Sequence, residues 1–164
     1  MKRIEHRFIY QEFDGTEEIP NQDVELIKNA GNIAKKAYAP YSLFNVGAAI
    51  RLEDDTIVTG NNQENVAYPS GLCAERVALF YAKSQFPDLK IKEIAITAFS
   101  KKFEVLDPIT PCGACRQALL EYENNQRSNI KVMLCSEQSN KVLVLESVKN
   151  LLPLSFEEKK LKNN

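Results

Sequence analysis

Three cysteines and one carboxylate carry the most chemistry in this sequence. Cys73 stands in Gly71-Leu72-Cys73-Ala74-Glu75-Arg76, and Cys112 and Cys115 stand in Pro111-Cys112-Gly113-Ala114-Cys115-Arg116. Two thiols at C-x-x-C spacing can hold one metal ion from a single helical turn, and Cys73 completes a set of three protein ligands. Three ligands, with the fourth position left for water, is the usual plan of a catalytic zinc. Glu75 lies two residues from a ligand, close enough to move protons of that water. The chain has one histidine, His6, and it falls in none of these motifs. General acid–base work therefore rests on a carboxylate. A glutamate at the start of a helix can equally be structural, since the helix dipole favours it there. Beside three metal-spaced thiols the catalytic reading is the stronger one.

Zinc must lower the pKa of its water from about 15.7 to about 7 to make a nucleophile at neutral pH. Three thiolates leave the metal with a formal excess of one negative charge, which weakens that pull. Two features can drain charge from the sulfurs. Cys73, and the pair Cys112 and Cys115, fall at expected helix N-termini, where orphan N–H groups favour anions. Arg76 and Arg116 follow the ligand motifs closely and can donate to sulfur. Arg116 reads equally well as an exposed helix charge.

These groups need elements to hold them. Residues 3–13 are rich in β-branched and aromatic types and read as a strand. Asn21 can cap a helix whose apolar positions Val24, Ile27, Ala30, Ile33, Ala34 and Ala37 follow helical spacing, ended by Pro40. Residues 46–52 and 56–60 flank Glu53-Asp54-Asp55 and read as a β-hairpin. A helix starts near Cys73, a buried strand covers 91–98, and Pro111 suits the first turn of a helix through 120. Residues 130–135 and 142–145 are two more strands. Only 136–141 join them, too few for a parallel crossover, so they should be antiparallel. Strands alternating with helices give an α/β class.

Composition narrows the partners. A chain of 164 residues with 44% hydrophobic and 26% charged residues is one globular domain able to bury its own core. The formal net charge of −1 offers nothing to hold a polyanion, so nucleic acid is not the expected partner. No stretch is apolar and long enough to span a bilayer, and the first residues lack a signal-peptide core, so a cytoplasmic protein is expected. Without an export signal, the four cysteines read as reduced or metal-bound. Cys135, in the apolar run 130–135, reads as a buried strand thiol.

The motifs extend beyond the cysteines. Tyr38-Ala-Pro-Tyr41-Ser-Leu-Phe44-Asn-Val46-Gly47-Ala-Ala49, Gly60-Asn-Asn62-Gln-Glu64-Asn65-Val-Ala-Tyr68, the two cysteine motifs, and Leu151-Leu-Pro153-Leu-Ser-Phe156 stand in order over residues 24–156. Together they resemble the small, single-domain cytidine deaminases with three Cys ligands, and a non-ligand Glu near P-C-x-x-C is a known signature of zinc deaminases. The resemblance implies a three-layer α-β-α sandwich around a mixed five-stranded sheet with its last two strands antiparallel. It divides the chain into an extension (1–20) reading as an added strand or subunit contact, the deaminase domain (21–156) and a charged tail (157–164).

The same resemblance implies Zn2+ on Cys73, Cys112 and Cys115, with Arg76 compensating thiolate charge. Glu75 would take a proton from the activated water, pass it to N3 of cytosine, and then protonate the amino group so that ammonia leaves. Phe44, Asn62, Glu64, Ala74 and Phe156 would bind a cytidine or 2′-deoxycytidine, with Asn62 and Glu64 on the ribose and Phe44 against the base. Asn62 can instead cap a loop, and Phe44 can be an ordinary core residue. Tyr41, Asn65 and Tyr68 shape the loop or a subunit contact. Small members of the family form homotetramers, so Phe156 is expected to reach a neighbour's active site, in a protein serving pyrimidine salvage. The hairpin joining the last strands sides with free-nucleoside enzymes over polynucleotide editors. Another cytosine nucleoside as substrate, of the blasticidin type, is the nearest rival. A non-catalytic zinc module is weaker, because structural zinc takes four protein ligands.

Overall fold

The structure, a computed structural model, describes residues 1–157. The charged tail expected over 157–164 lies, beyond its first residue, outside the described residues. Strands β1 (Gln11–Phe13), β2 (Phe44–Leu52), β3 (Ile57–Asn61), β4 (Ile91–Ser100), β5 (Lys131–Leu134) and β6 (Val142–Leu145) form one sheet in the order β1-β6-β5-β4-β2-β3. Helix α1 (Asn21–Ala34) covers one face; α2 (Ala74–Gln85) and α3 (Gly113–Gln126) cover the other. This is the expected three-layer sandwich, with six strands rather than five. The sixth is β1, which adds antiparallel to the outer edge of β6. Only three residues of the strand expected over 3–13 pair. The apolar side chains Ile4, Phe8 and Ile9 find no core and stay exposed.

Among the described strands only β4 and β5 pair in parallel, and α3 makes the crossover between them. That leaves the N-terminus of α3 at the end of the sheet where β4 finishes. β5 and β6 are antiparallel, as their six-residue connection requires. The hairpin of β2 and β3 turns at Asp55, which sits at φ 69, with the Asp54 carboxylate accepting from Thr56 N–H at 3.0 Å. Two helix starts differ from expectation. Pro20, not Asn21, is the N-cap of α1, and Pro111 lies just outside α3, whose N-cap is Cys112.

The two faces are packed differently. Ile50, Leu52, Ile94, Ile96, Leu79, Leu119 and Leu120 fill the side of α2 and α3. Smaller residues, Ala30, Ala49 and Ala95 with Leu26 and Met133, fill the side of α1. Under the N-terminal half of α1, Arg51, Glu93 and Lys131 lie on adjacent strands. Arg51 Nε donates to Glu93 at 2.8 Å, and Lys131 Nζ reaches Glu93 at 2.6 Å and Asp23 at 2.8 Å. Burial works against the Glu93 charge, but the Lys131 and Arg51 partners outweigh it and hold the carboxyl below its ordinary value. This ionic cluster sits at the end of the sheet opposite the cysteines.

Candidate metal centre and its cavity

Cys73 is the N-cap of α2 and Cys112 the N-cap of α3, and neither helix uses a side-chain cap hydrogen bond. Two helix N-termini therefore converge, each with orphan N–H groups and the positive end of its dipole. Cys115 follows one turn into α3. The three Sγ atoms lie within 4.8 Å of one another, with Cys73 to Cys112 at 3.8 Å and Cys112 to Cys115 at 3.5 Å. A tetrahedral ion with Zn–S bonds of about 2.3 Å places its sulfurs about 3.8 Å apart. The donor set thus fits zinc by chemistry and by spacing. Cys115 is buried while Cys112 is exposed, so the cluster opens to one side only.

Hydrogen bonding from Cys115, then from Cys112 and Arg76, outweighs burial and holds the Cys73 thiol well below its ordinary value. Donation to Cys73, together with burial, pushes Cys115 up. Three close thiols cannot all ionise without a cation among them. Arg76 is a cation that acts on both Cys73 and Cys115. Burial opposes its charge, but Cys73 and Cys115 outweigh that. Its buried Nε has no hydrogen-bond partner among the described residues.

Glu75 is 4% exposed, on the first turn of α2. Burial raises its pKa above the ordinary carboxylate value, a direction that suits a group required to hold and release protons near neutrality. Glu75, Cys73, Cys112 and Arg76 all line one cavity of about 890 Å3. Phe44, Asn62 and Glu64 line it from the other side. With Cys115 in the thiol cluster, seven of the expected residues and the expected charge-compensating Arg76 are therefore brought together.

The segment after β3 shapes that far wall. Gln63 and Leu72 exchange two backbone hydrogen bonds of 2.9 Å, which closes the loop just before Cys73. Asn65 Oδ1 accepts from Ala67 N–H inside the loop, and Tyr41 meets Tyr68 edge-on across it. Asn62 Oδ1 accepts from Val46 N–H at 2.8 Å, and Asn62 Nδ2 donates to Phe44 carbonyl at 3.0 Å. Its amide thus braces β2, yet one lone pair and one N–H remain. The Glu64 carboxylate accepts from the Tyr41 N–H, the Ser42 N–H and the Ser42 hydroxyl. Burial works against its charge, but these bonds win and keep its carboxyl below the ordinary value.

Two expected binding residues stand apart. Ala74 is fully buried at the start of α2, so only its backbone could reach a ligand. Phe156 is 59% exposed and does not line the cavity of its own chain; its carbonyl accepts from Gln117 Nε2 at 3.0 Å on α3. Arg116 is neither a thiolate donor nor a free surface charge. Its guanidinium donates to the Pro111 carbonyl at 2.8 Å, the Leu151 carbonyl at 2.9 Å and Thr110 Oγ1. It clamps the ligand loop to the C-terminal segment. Spacing could not reveal this, because one acceptor lies 35 residues away. Cys135 is buried, outside the cluster, and burial alone pushes its thiol up to about 12.

The chain matches the family model of the cytidine and deoxycytidylate deaminase zinc-binding region over residues 20–131. It is 39% identical over 120 residues to a cytidine deaminase of Halalkalibacterium halodurans, covering 68% of this chain and 86% of that protein. It is 45% identical over 103 residues to one of Sporosarcina psychrophila, covering 62% of this chain and 71% of that one. The crystal structure of cytidine deaminase from Burkholderia pseudomallei is similar with a TM-score of 0.69 at 38% identity, over 81% of this chain and 98% of the other.

Proposed function

This chain belongs to the cytidine and deoxycytidylate deaminase family, and from that premise we propose that it hydrolyses cytidine and 2′-deoxycytidine. Water replaces the amino group at C4, giving uridine or 2′-deoxyuridine and ammonia. One observation carries the reading: Glu75 opens on the same cavity as Cys73 and Cys112, two of the three clustered thiols. Zinc, when bound, acts as a Lewis acid that makes water a nucleophile at neutral pH. The protein supplies the rest. Glu75, buried and raised in pKa, carries two protons in turn: it would take one from the attacking water and pass it to N3, then take the proton of the resulting C4 hydroxyl and deliver it to the departing nitrogen, so that ammonia leaves. Cys73, Cys112 and Cys115 hold the metal, and Arg76 with the two helix N-termini offsets the charge of three sulfurs.

We assign Phe44 to the face of the base, Asn62 and Glu64 to the ribose hydroxyls, and Ala74 to the substrate through its backbone. The pre-set hydrogen bonds of Asn62 and Glu64 keep both groups oriented before a ligand arrives. The catalytic unit is residues 21–156, with 1–20 an added edge. The enzyme works as a homotetramer in which Phe156 enters a neighbour's site, a reading supported by its exposure away from its own cavity. Three unpaired thiols suit the reducing cytoplasm, and a free nucleoside product suits pyrimidine salvage. Among the described residues no helix is long and apolar enough to cross a membrane. A net charge of −1 and the short turn from β5 to β6 favour a free nucleoside over a polynucleotide. Ammonia release from cytidine, measured beside a cytosine-containing oligonucleotide, tests this. Release from cytidine alone is expected; release from the oligonucleotide alone would contradict it.

A further inference from the structure

Phe103 follows β4 in the loop 101–112 and is 56% exposed. A single exposed phenylalanine means little, but this ring stacks on Phe44. The centroids are 6.2 Å apart and the planes 18° from parallel. Phe44 lines the cavity and Phe103 does not, so Phe103 meets that ring from outside.

The backbone of Phe44 is already fixed. Leu43 sits at φ 55, turning the chain sharply into β2, and its carbonyl accepts from Lys101 N–H at 3.2 Å. Phe44 N–H donates to Ser42 Oγ at 3.0 Å. What these contacts leave free is the rotation of the ring. The loop that carries Phe103 is itself anchored. Val105 is buried, its N–H donates to Gln138 Oε1 at 2.7 Å, and its carbonyl accepts from the Ser136 hydroxyl. Further along, Ile109 N–H donates to the Cys135 carbonyl at 3.3 Å. Phe103 joins neither core cluster, and among the described residues Phe44 is the aromatic ring it meets.

We propose that Phe103 is a positioning residue that sets the orientation of the Phe44 ring and thereby the enzyme's hold on the pyrimidine. This rests on the cytidine reading above. An aromatic pair of this kind shifts an equilibrium between ring orientations by about two- to tenfold. Apparent affinity falls with the fraction of protein in the competent orientation. Phe103→Ala therefore raises KM for cytidine by about two- to tenfold, with kcat, zinc content and Tm near those of the wild type, and Phe103→Tyr restores it. Phe44→Leu raises KM as well, and adding Phe103→Ala to it brings no further rise.

The same variants, labelled with 4-fluorophenylalanine, give a fluorine NMR readout that needs no turnover. The Phe44 resonance, identified by its loss in Phe44→Leu, moves or broadens in Phe103→Ala. An unchanged KM and unchanged Phe44 resonance in Phe103→Ala would overturn the proposal, as would losses that multiply in the double variant. Wild-type protein that fails to deaminate cytidine would instead sink the substrate reading, and the fluorine spectrum would then still decide whether Phe103 sets the Phe44 ring.

Discussion

At the scale of single residues, the site is a set of charges that tolerate one another only with a cation among them. Three sulfurs within 4.8 Å, a buried Glu75 and one nearby Arg76 make that plain. Metal binding to such a site is also folding energy. Cys112→Ser and Cys115→Ser are therefore expected to lose zinc and activity together and to melt at lower temperature. Metal analysis and a thermal melt check this, and full zinc content in both would overturn the ligand set. These residues were legible because metal ligands and their proton carrier are defined by type and spacing. Arg116 was not, because its acceptors are backbone carbonyls that only the fold brings near. The local bracing by Asn62 and Glu64 was half legible: their types suggested hydrogen bonding, while their partners on 41–46 were hidden.

At the scale of elements, the site depends on how closely helices approach the sheet. A side-chain carbon at Gly60 would collide with the backbone of Ala74 and Ala78, so β3 and α2 touch there without a spacer. Gly60→Ala must push the first turn of α2 outward, and with it Cys73 and Glu75. Overpacking of this kind costs about 1–3 kcal/mol. The expected result is a lower Tm together with weakened zinc retention, read by dialysis against a chelator; unchanged retention would separate the glycine from the site. Helical periodicity and hairpin signals revealed most elements, including the antiparallel final pair. The expected strand over 3–13 shrank to Gln11–Phe13 because β6 is four residues long and offers no longer edge to pair with. β-Propensity without a partner does not make a strand.

At the scale of the whole molecule, the two ends of the sheet carry different work. The end away from the thiols holds the Arg51, Glu93, Lys131 and Asp23 cluster, invisible in the sequence because its members come from four elements. A carboxyl held below its ordinary value of 4.5 stabilises the fold above the unfolded pKa. That contribution is lost as pH falls from about 4.5 through the lower folded value. Glu93→Gln should thus lose about 3 kcal/mol at neutral pH and show a shallower fall of Tm than the wild type in the acid window. Parallel slopes would remove Glu93 from the acid response. The proposed sharing of sites between subunits makes its own prediction. Mixed oligomers of Phe156→Ala and Glu75→Ala chains should regain activity, because some sites pair an intact Glu75 with a donated Phe156. Mixed oligomers that stay inactive would keep Phe156 within its own chain. The central claim, that thiol-held zinc and Glu75 together deaminate cytidine, is tested most directly by measuring zinc content and ammonia release on the same preparations of wild type and Glu75→Gln. Equal zinc in both, with release from cytidine reduced about a hundredfold or more in the variant, is the predicted result. Equal release from both, or none from the zinc-loaded wild type, would contradict it.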